Sequence, residues 1–97
     1  MVKLTKDQII SSVMGFVGLH GGAYSSWYVG IASDPCTALQ GHNVCMECAH
    51  DEFIALNSHE AYNALESLLK SGFDGELEKD SEANFVYVYK KSENTKP

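Results

Sequence analysis

The stretch over residues 27–41 constrains the fold more than any other part of this chain. Aromatic and β-branched residues dominate its start, which predicts a strand over residues 26–31. Gly30 inside that strand indicates a bend or a close approach of backbone. Asp34 and Pro35 follow, a capping carboxylate before a residue suited to the first helical position. We therefore expect a strand joined directly to a short helix that ends near residue 41.

Two further helices are indicated by caps that precede helical periodicity. Thr5 and Gln8 have the spacing of a capping box, and apolar residues then recur at helical intervals over residues 6–19. Asn57 offers a second cap, and the amphipathic pattern after it ends near Gly72. Helices are therefore predicted on both sides of the strand–helix unit.

Two later segments complete a predicted set of three strands. Residues 52–56 form a short apolar run, residues 84–91 alternate in polarity, and residues 43–51 are expected to be a loop. The order is α-β-α-β-α-β, which predicts an α+β fold with a three-stranded, mainly antiparallel sheet flanked by helices. We expect one domain over residues 1–97, with a flexible tail over residues 92–97.

The charge balance argues against tight binding to nucleic acid. All seven cationic side chains are lysines, the chain contains no arginine, and thirteen carboxylates give a formal net charge of −6. Duplex DNA is usually gripped by a basic face. Carboxylates crowd one segment, which we interpret as a solvated loop: Asp74, Glu76, Glu78, Asp80 and Glu82.

Sequence features also indicate the compartment. No segment approaches the roughly 18 consecutive apolar residues that a membrane span requires, and the N-terminus lacks the order of a signal peptide. Three cysteines are too few for a secreted disulfide scaffold. We expect a cytoplasmic protein with reduced thiols.

Three features of the chain resemble the GIY-YIG nuclease superfamily. Tyr28-Val29-Gly30 matches a signature strand, His42 matches the histidine of the following helix, and Glu66 matches a later metal-binding glutamate. Ala38 stands where active members have arginine. The first signature strand has no counterpart upstream, but residues 86–89 are similar to it. We therefore expect a permuted arrangement in which residues 86–89 pair with residues 27–31 and bring Tyr87 or Tyr89 toward Tyr28, on the side facing Ala38.

Nearly the full chain also resembles a group of small bacterial or phage-like proteins. Their pattern contains a pair of arginines that has no counterpart here. The shared segments are Ser26-Trp27-Tyr28-Val29-Gly30-Ile31, Asp34-Pro35, His42-Asn43-Val44, the helix that carries Glu66, Phe73-Asp74-Gly75, a tyrosine-rich strand and Thr95-Lys96-Pro97.

The resemblance implies catalytic roles that the residue types allow only in part. Cleaving a phosphodiester needs an activated water, a divalent ion and a cation on the phosphoryl oxygens. The resemblance makes Tyr28, His42 and Tyr87 vestigial catalytic candidates, and Glu66 the Mg²⁺ ligand. The phosphate clamp is missing at Ala38. Each retained residue also has a structural interpretation: strand tyrosines, a histidine near a helix C-terminus and an exposed helical glutamate.

We therefore expect a degenerate GIY-YIG-like domain that binds a protein partner, with no cofactor, no membrane contact and weak or absent binding to nucleic acid. The acidic surface could contact a basic partner or mimic nucleic acid. One alternative is an atypical Mg²⁺-dependent endonuclease that uses Tyr28, Tyr87, His42 and Glu66. A second alternative is a small zinc-stabilised binding module.

The zinc alternative depends on a cluster of thiols and imidazoles. Cys45 and Cys48 form one Cys-x-x-Cys turn, which supplies two ligands of a tetrahedral zinc site. Cys36, His50 or His42 could complete the set. No second Cys-x-x-Cys pair is present, so we expect ordinary thiols outside regular strands and no copurifying zinc.

Overall fold

The computed structural model describes residues 3–42, 44, 49–77 and 81–91. Within these ranges the chain forms an α+β fold with three α-helices and four strands. The elements follow the chain in this order: α1 (Lys6–His20), a 3-10 turn (Tyr24–Ser26), β1 (Trp27–Ala32), α2 (Pro35–Gly41), β2 (His50–Ile54), α3 (Ser58–Lys70), β3 (Asp74–Gly75) and β4 (Phe85–Lys90).

The capping signals of the sequence are confirmed at all three helices. The Gln8 N–H donates to Thr5 Oγ1 at 3.3 Å, and the Thr5 N–H donates to Gln8 Oε1 at 2.9 Å. Asn57 caps α3 by accepting a hydrogen bond from the Glu60 N–H at 2.9 Å. Side-chain caps satisfy N–H groups that have no partner inside the first turn. For this reason the predicted starts of the helices lie at or within one residue of the observed ones.

The last strand, β4, is an inner strand of the sheet. The strand order is β2-β4-β1-β3, and β4 runs antiparallel to both of its neighbours. Tyr28 faces Tyr89 across the β1–β4 pair, and Gly30 faces Tyr87. The predicted pairing of residues 86–89 with residues 27–31 is therefore confirmed, although β4 pairs with β2 as well.

The prediction of three strands was wrong, because β3 adds a fourth strand that runs parallel to β1. The sheet is therefore mixed. Two residues are too few to show an alternating pattern, and Asp74 lies where the sequence indicated only a solvated loop. Gly75 has φ +154°, and a Cβ there would collide with the Val29 carbonyl oxygen and the Leu69 side chain. Glycine permits this close pairing.

The second strand begins earlier than predicted. Observed β2 spans His50–Ile54, whereas residues 52–56 were expected and residues 50 and 51 were assigned to a loop. Polar residues suffice here because this strand pairs through its backbone with β4 alone among the named strands. Beyond it, Leu4 forms a parallel bridge with Ala55 and accepts a hydrogen bond from the Leu56 N–H at 2.9 Å.

The two faces of the sheet carry different side chains because successive residues of a strand point to opposite faces. One face packs against α1 and α3 and forms the main core. Full burial of each large apolar side chain there contributes about 1.5–3 kcal/mol. Its fully or almost fully buried members include Ile9, Val13, Val17, Trp27, Val29, Leu65, Leu68, Val86 and Val88. We call this side the helix-covered face.

The opposite side of the sheet faces α2. Tyr28, Tyr87 and Tyr89 project there and pack with Leu39. We call these three tyrosines, together with Ala38, Leu39 and His42, the tyrosine face.

Within the described residues no helix combines the length and apolar character needed to cross a membrane. The predicted tail, residues 92–97, lies outside the described ranges.

Candidate functional site

The start of α2 determines which of its residues reach the tyrosine face. Asp34 accepts hydrogen bonds from the Thr37 N–H at 3.3 Å and from the Thr37 hydroxyl at 2.8 Å. These bonds lower the pKa of the Asp34 carboxyl. Residues four apart share one side of a helix. Ala38 and His42 therefore lie one above the other at the tyrosine face.

His42 lies at the C-terminal end of α2, where its N–H donates to the Ala38 carbonyl oxygen at 3.1 Å. Its Nε2 forms a hydrogen bond of 3.0 Å with the Tyr87 hydroxyl. Its ring centroid lies 4.8 Å from that of Tyr28 and 5.5 Å from that of Tyr89. The structure therefore brings together the three residues that the sequence nominated as vestigial catalytic candidates: Tyr28, His42 and Tyr87.

Gly30 explains how the Tyr87 ring reaches His42. The two residues face each other across the β1–β4 pair, and a Cβ on Gly30 would collide with the Tyr87 ring and hydroxyl. The ring therefore lies over the glycine backbone. The sequence predicted a bend or a close approach of backbone at Gly30, whereas the group packed against this glycine is the Tyr87 side chain.

A cavity of about 270 Å³ opens beside the His42–Tyr87 hydrogen bond. Tyr28 and Tyr87 are 7% and 5% exposed, and both line this cavity. Among the described residues its lining contains a carboxylate, on Glu76, but no lysine. The remaining lining residues are Gly30, Ile31, Ala38 and His42. The site therefore combines aromatic rings, hydroxyls and one acidic group.

Sequence reasoning missed Glu76 as a member of the site. Parallel pairing places Asp74 opposite Tyr28 and Gly75 opposite Val29, so Glu76 follows directly at the level of the cavity. Lys91 Nζ donates to Asp74 Oδ2 at 2.9 Å, which lowers the pKa of the Asp74 carboxyl. The Asp-Gly pair after Phe73 was visible in the sequence, but its pairing with β1 depends on tertiary contacts.

Tyr89 lies deeper in the tyrosine face. Its side chain is fully buried, and its hydroxyl has no hydrogen-bond partner among the described residues. Burial, together with the neighbouring Tyr28 and Asp74, raises the pKa of Tyr89 far above the ordinary tyrosine range. Its ring lies 5.3 Å from that of Tyr28 at an interplanar angle of 24°. The buried Tyr89 ring therefore packs against the Tyr28 ring on the side away from solvent.

Glu66 is not brought to this cavity. It lies on α3, whose buried residues Ala64, Leu65 and Leu68 belong to the helix-covered face. Its carboxylate forms an exposed ion pair of 3.6 Å with Lys70 Nζ, one turn later on the same helix. The proposed magnesium ligand and the Tyr28–His42–Tyr87 group are therefore held by elements on opposite sides of the sheet.

Two of the candidate zinc ligands, Cys36 and His50, lie in the described part of the chain and line the same cavity. Cys36 is exposed, and it lines a second cavity of about 280 Å³ together with His50, Asp51 and Glu52. No group of three or more histidine, cysteine or carboxylate side chains that could hold a metal ion occurs within the described ranges. Cys45 and Cys48 lie outside those ranges. The zinc alternative therefore stays a prediction.

Comparison with known proteins adds no family to this description. No protein-family model matches the chain, and neither a curated protein nor a solved structure matches it.

Proposed function

We propose that this chain is a degenerate GIY-YIG-like domain that binds another protein through the cavity of its tyrosine face and does not cut DNA. The observation that carries the proposal is the lining of that cavity. Ala38, the position of the resembled family's arginine, lies beside His42 and Tyr87 in the lining, and the charged carboxylate there is that of Glu76.

The electrostatics of this lining oppose phosphodiester chemistry. A phosphoryl group in transfer needs a cation on its oxygens, and arginine holds two of them at once. The described lining offers no lysine, and the net charge of −6 repels a polyanion at longer range. Removing one preorganised donor commonly costs about 10²- to 10³-fold in rate. A site that lacks the guanidinium and presents a carboxylate is therefore expected to cleave DNA at least about 10²-fold more slowly than an intact site.

The packing of the same group favours a role in binding. The rings of Tyr28, His42 and Tyr87 pack together on the sheet, and the His42–Tyr87 hydrogen bond and the space above Gly30 position the Tyr87 ring. Rigid aromatic side chains with polar ends are enriched where proteins contact partners, because little conformational entropy is lost on binding. The cavity offers such groups together with a carboxylate.

A matched pair of variants tests the binding role. Ala38→Leu places a larger apolar side chain in the cavity, whereas Ala23→Leu makes the same change at an exposed position before β1. Both variants and the wild-type chain are used to capture partners from the native host. We expect a protein that the wild type and Ala23→Leu retain and that Ala38→Leu loses. Equal capture by all three chains contradicts a role for the cavity.

Restoring the missing cation tests the relation to nucleases. If Tyr28, His42 and Tyr87 keep a competent geometry, Ala38→Arg with Mg²⁺ should nick supercoiled plasmid above the wild-type background. The carboxylate that holds the metal is then identified by adding Glu76→Gln or Glu66→Gln to this variant. If adding Glu66→Gln abolishes this cleavage and adding Glu76→Gln does not, Glu66 is the magnesium ligand, as the resemblance implies.

The alternative of an active, atypical Mg²⁺-dependent endonuclease has one observation in its favour. The His42–Tyr87 hydrogen bond of 3.0 Å places an imidazole where it could exchange a proton with a phenol. This alternative requires cleavage by the unmodified chain. Cleavage that needs the metal and is lost in His42→Ala would support it.

A further inference from the structure

We propose that the cavity of the tyrosine face receives the guanidinium group of an arginine side chain from the partner protein. This inference rests on the proposed binding function and specifies the chemistry of what is bound. It is carried by the size of the cavity, the nature of its walls and the single carboxylate among its described lining residues.

The size of the cavity suits the end of a side chain rather than a single solvent molecule. Its volume is about 270 Å³, whereas one water occupies about 30 Å³ of liquid. Ala38 projects only a methyl group from α2 into this space. The lining comes from β1, α2, β4 and the residue that follows β3, so the cavity lies between α2 and the sheet.

The walls of the cavity favour a cation over an anion or an apolar group. Tyr28 and Tyr87 are lining residues, and an aromatic ring attracts a cation that lies over its face within about 6 Å of the centroid. Glu76 adds a full negative charge at an exposed position, and no lysine among the described lining residues opposes it. A phosphate or carboxylate entering here would meet the carboxylate of Glu76, and the described lining has no lysine to offset that charge.

Arginine fits these walls better than lysine. Its planar guanidinium can form two parallel hydrogen bonds with a carboxylate and can also lie against aromatic rings. It is more weakly hydrated than an ammonium group, so it loses less on entering a partly enclosed site. Glu76 supplies the carboxylate. The partner is therefore a protein with an exposed, arginine-bearing segment.

The first test uses short peptides as probes. The ¹⁵N-labelled chain is titrated with acetyl-Gly-Arg-Gly-amide and, separately, with the same peptide carrying citrulline, which is nearly isosteric with arginine but uncharged. We expect the arginine peptide to shift the amide signals of Gly30, Ala38 and His42 with a dissociation constant on the order of 1 mM. The citrulline peptide should shift them by less than about a third as much at the same concentration.

Paired variants localise the effect. Glu76→Gln should weaken binding of the arginine peptide about 3- to 10-fold, because it removes the charged acceptor but keeps the side-chain shape. Glu66→Gln makes the same chemical change on the helix-covered side and should alter the affinity by less than about twofold. Ala38→Arg supplies an internal guanidinium to the cavity and should abolish the peptide-induced shifts.

The outcomes separate this inference from the proposed function. Equal shifts with citrulline, an affinity unchanged by Glu76→Gln, or no shift at Gly30, Ala38 and His42 would overturn arginine recognition. If Ala38→Leu still loses the captured partner in that case, the binding function stands and its chemistry is different. If capture also fails to depend on Ala38, both proposals fall. Shifts confined to arginine and weakened by Glu76→Gln but not by Glu66→Gln support the inference.

Discussion

The two faces of the sheet are covered in different ways. On the helix-covered face, α1 and α3 pack over apolar side chains of the sheet such as Trp27, Val29 and Val88, all of which are fully buried. On the tyrosine face, the short helix α2 covers only part of the sheet and leaves a cavity beside Tyr28 and Tyr87. Both faces are formed by the same strands, because successive side chains of β1 and β4 point alternately to one face and to the other.

This difference separates the source of stability from the candidate site. Close packing of apolar side chains stabilises the fold and leaves little room for a ligand. Polar aromatic groups around a cavity contribute less to stability but offer directional contacts. Substitutions on the helix-covered face should therefore change the free energy of unfolding most, whereas those at the cavity should change it less and should also change binding.

The largest expected effect is on the helix-covered face. Leu65 is fully buried, so Leu65→Ala should lower the free energy of unfolding by about 2–5 kcal/mol through lost burial and an internal cavity. Leu77→Ala removes the same atoms from a side chain that is 47% exposed and should cost less than about 0.5 kcal/mol. Urea denaturation measures both. Similar losses in the two variants would contradict the assignment of the main core.

A smaller effect is expected where the two strands meet under the cavity. Gly30→Ala forces the Tyr87 ring away and should lower the free energy of unfolding by about 1–3 kcal/mol. Gly15→Ala provides the control, because nothing lies within 4 Å of a Cβ at that helical position. It should stabilise the chain by about 0.5–1 kcal/mol. A neutral Gly30→Ala that keeps the His42–Tyr87 contact would show that the ring position does not depend on glycine.

The two tyrosines of β4 should respond in opposite directions. Tyr87→Phe removes the partner of His42 and should lower the free energy of unfolding by about 0.5–1.5 kcal/mol. Tyr89→Phe removes a buried hydroxyl that has no partner within the described residues, so it should be neutral or stabilising by up to about 1 kcal/mol. Urea denaturation of both variants decides. A loss in Tyr89→Phe larger than in Tyr87→Phe would show that this hydroxyl has a stabilising contact.

The smallest expected effect on stability concerns β3, the strand that directly precedes Glu76. Lys91 lowers the pKa of Asp74 in the folded chain, so their contact stabilises the fold above the unfolded pKa of about 4. That contribution disappears as the pH falls through the lower folded value. Both side chains are partly exposed, so Asp74→Asn should cost less than about 1 kcal/mol at neutral pH.

A pH series of urea denaturations checks this contact. In the wild-type chain, part of the loss of stability below about pH 4 should come from Asp74. Lys91→Gln removes the partner and should make the curve flatter in that window. An identical pH dependence in the two chains would contradict the role of the Asp74–Lys91 pair.

Local signals made much of the fold predictable from the sequence. Thr5, Asp34 and Asn57 act through hydrogen bonds to residues three positions away, so their effect is readable in the chain itself. The strand β3 was not predictable in this way. Its two residues pair with β1 because Gly75 permits a close approach to Val29, and that contact forms only in the folded chain.

The candidate site was predictable to the extent that it follows from strand alternation and helix spacing. Tyr28 and Tyr87 share a face of adjacent strands, and His42 follows Ala38 by one turn, so their meeting required only the correct strand pairing. The position of Glu66 relative to the cavity depends on how α3 packs, and that helix packs against the helix-covered face. The position of Glu76 at the cavity depends on the pairing of β3 with β1. Because β3 was not predicted, Glu76 was not predicted as part of the site.

The central claim is that the tyrosine face binds and does not cut, and plasmid nicking tests it most directly. The wild-type chain is incubated with supercoiled plasmid and Mg²⁺ or Mn²⁺, beside an identically purified His42→Ala variant that reports contaminating nuclease. The account predicts nicking at the same background level for both chains. Metal-dependent nicking by the wild type that His42→Ala abolishes would contradict it.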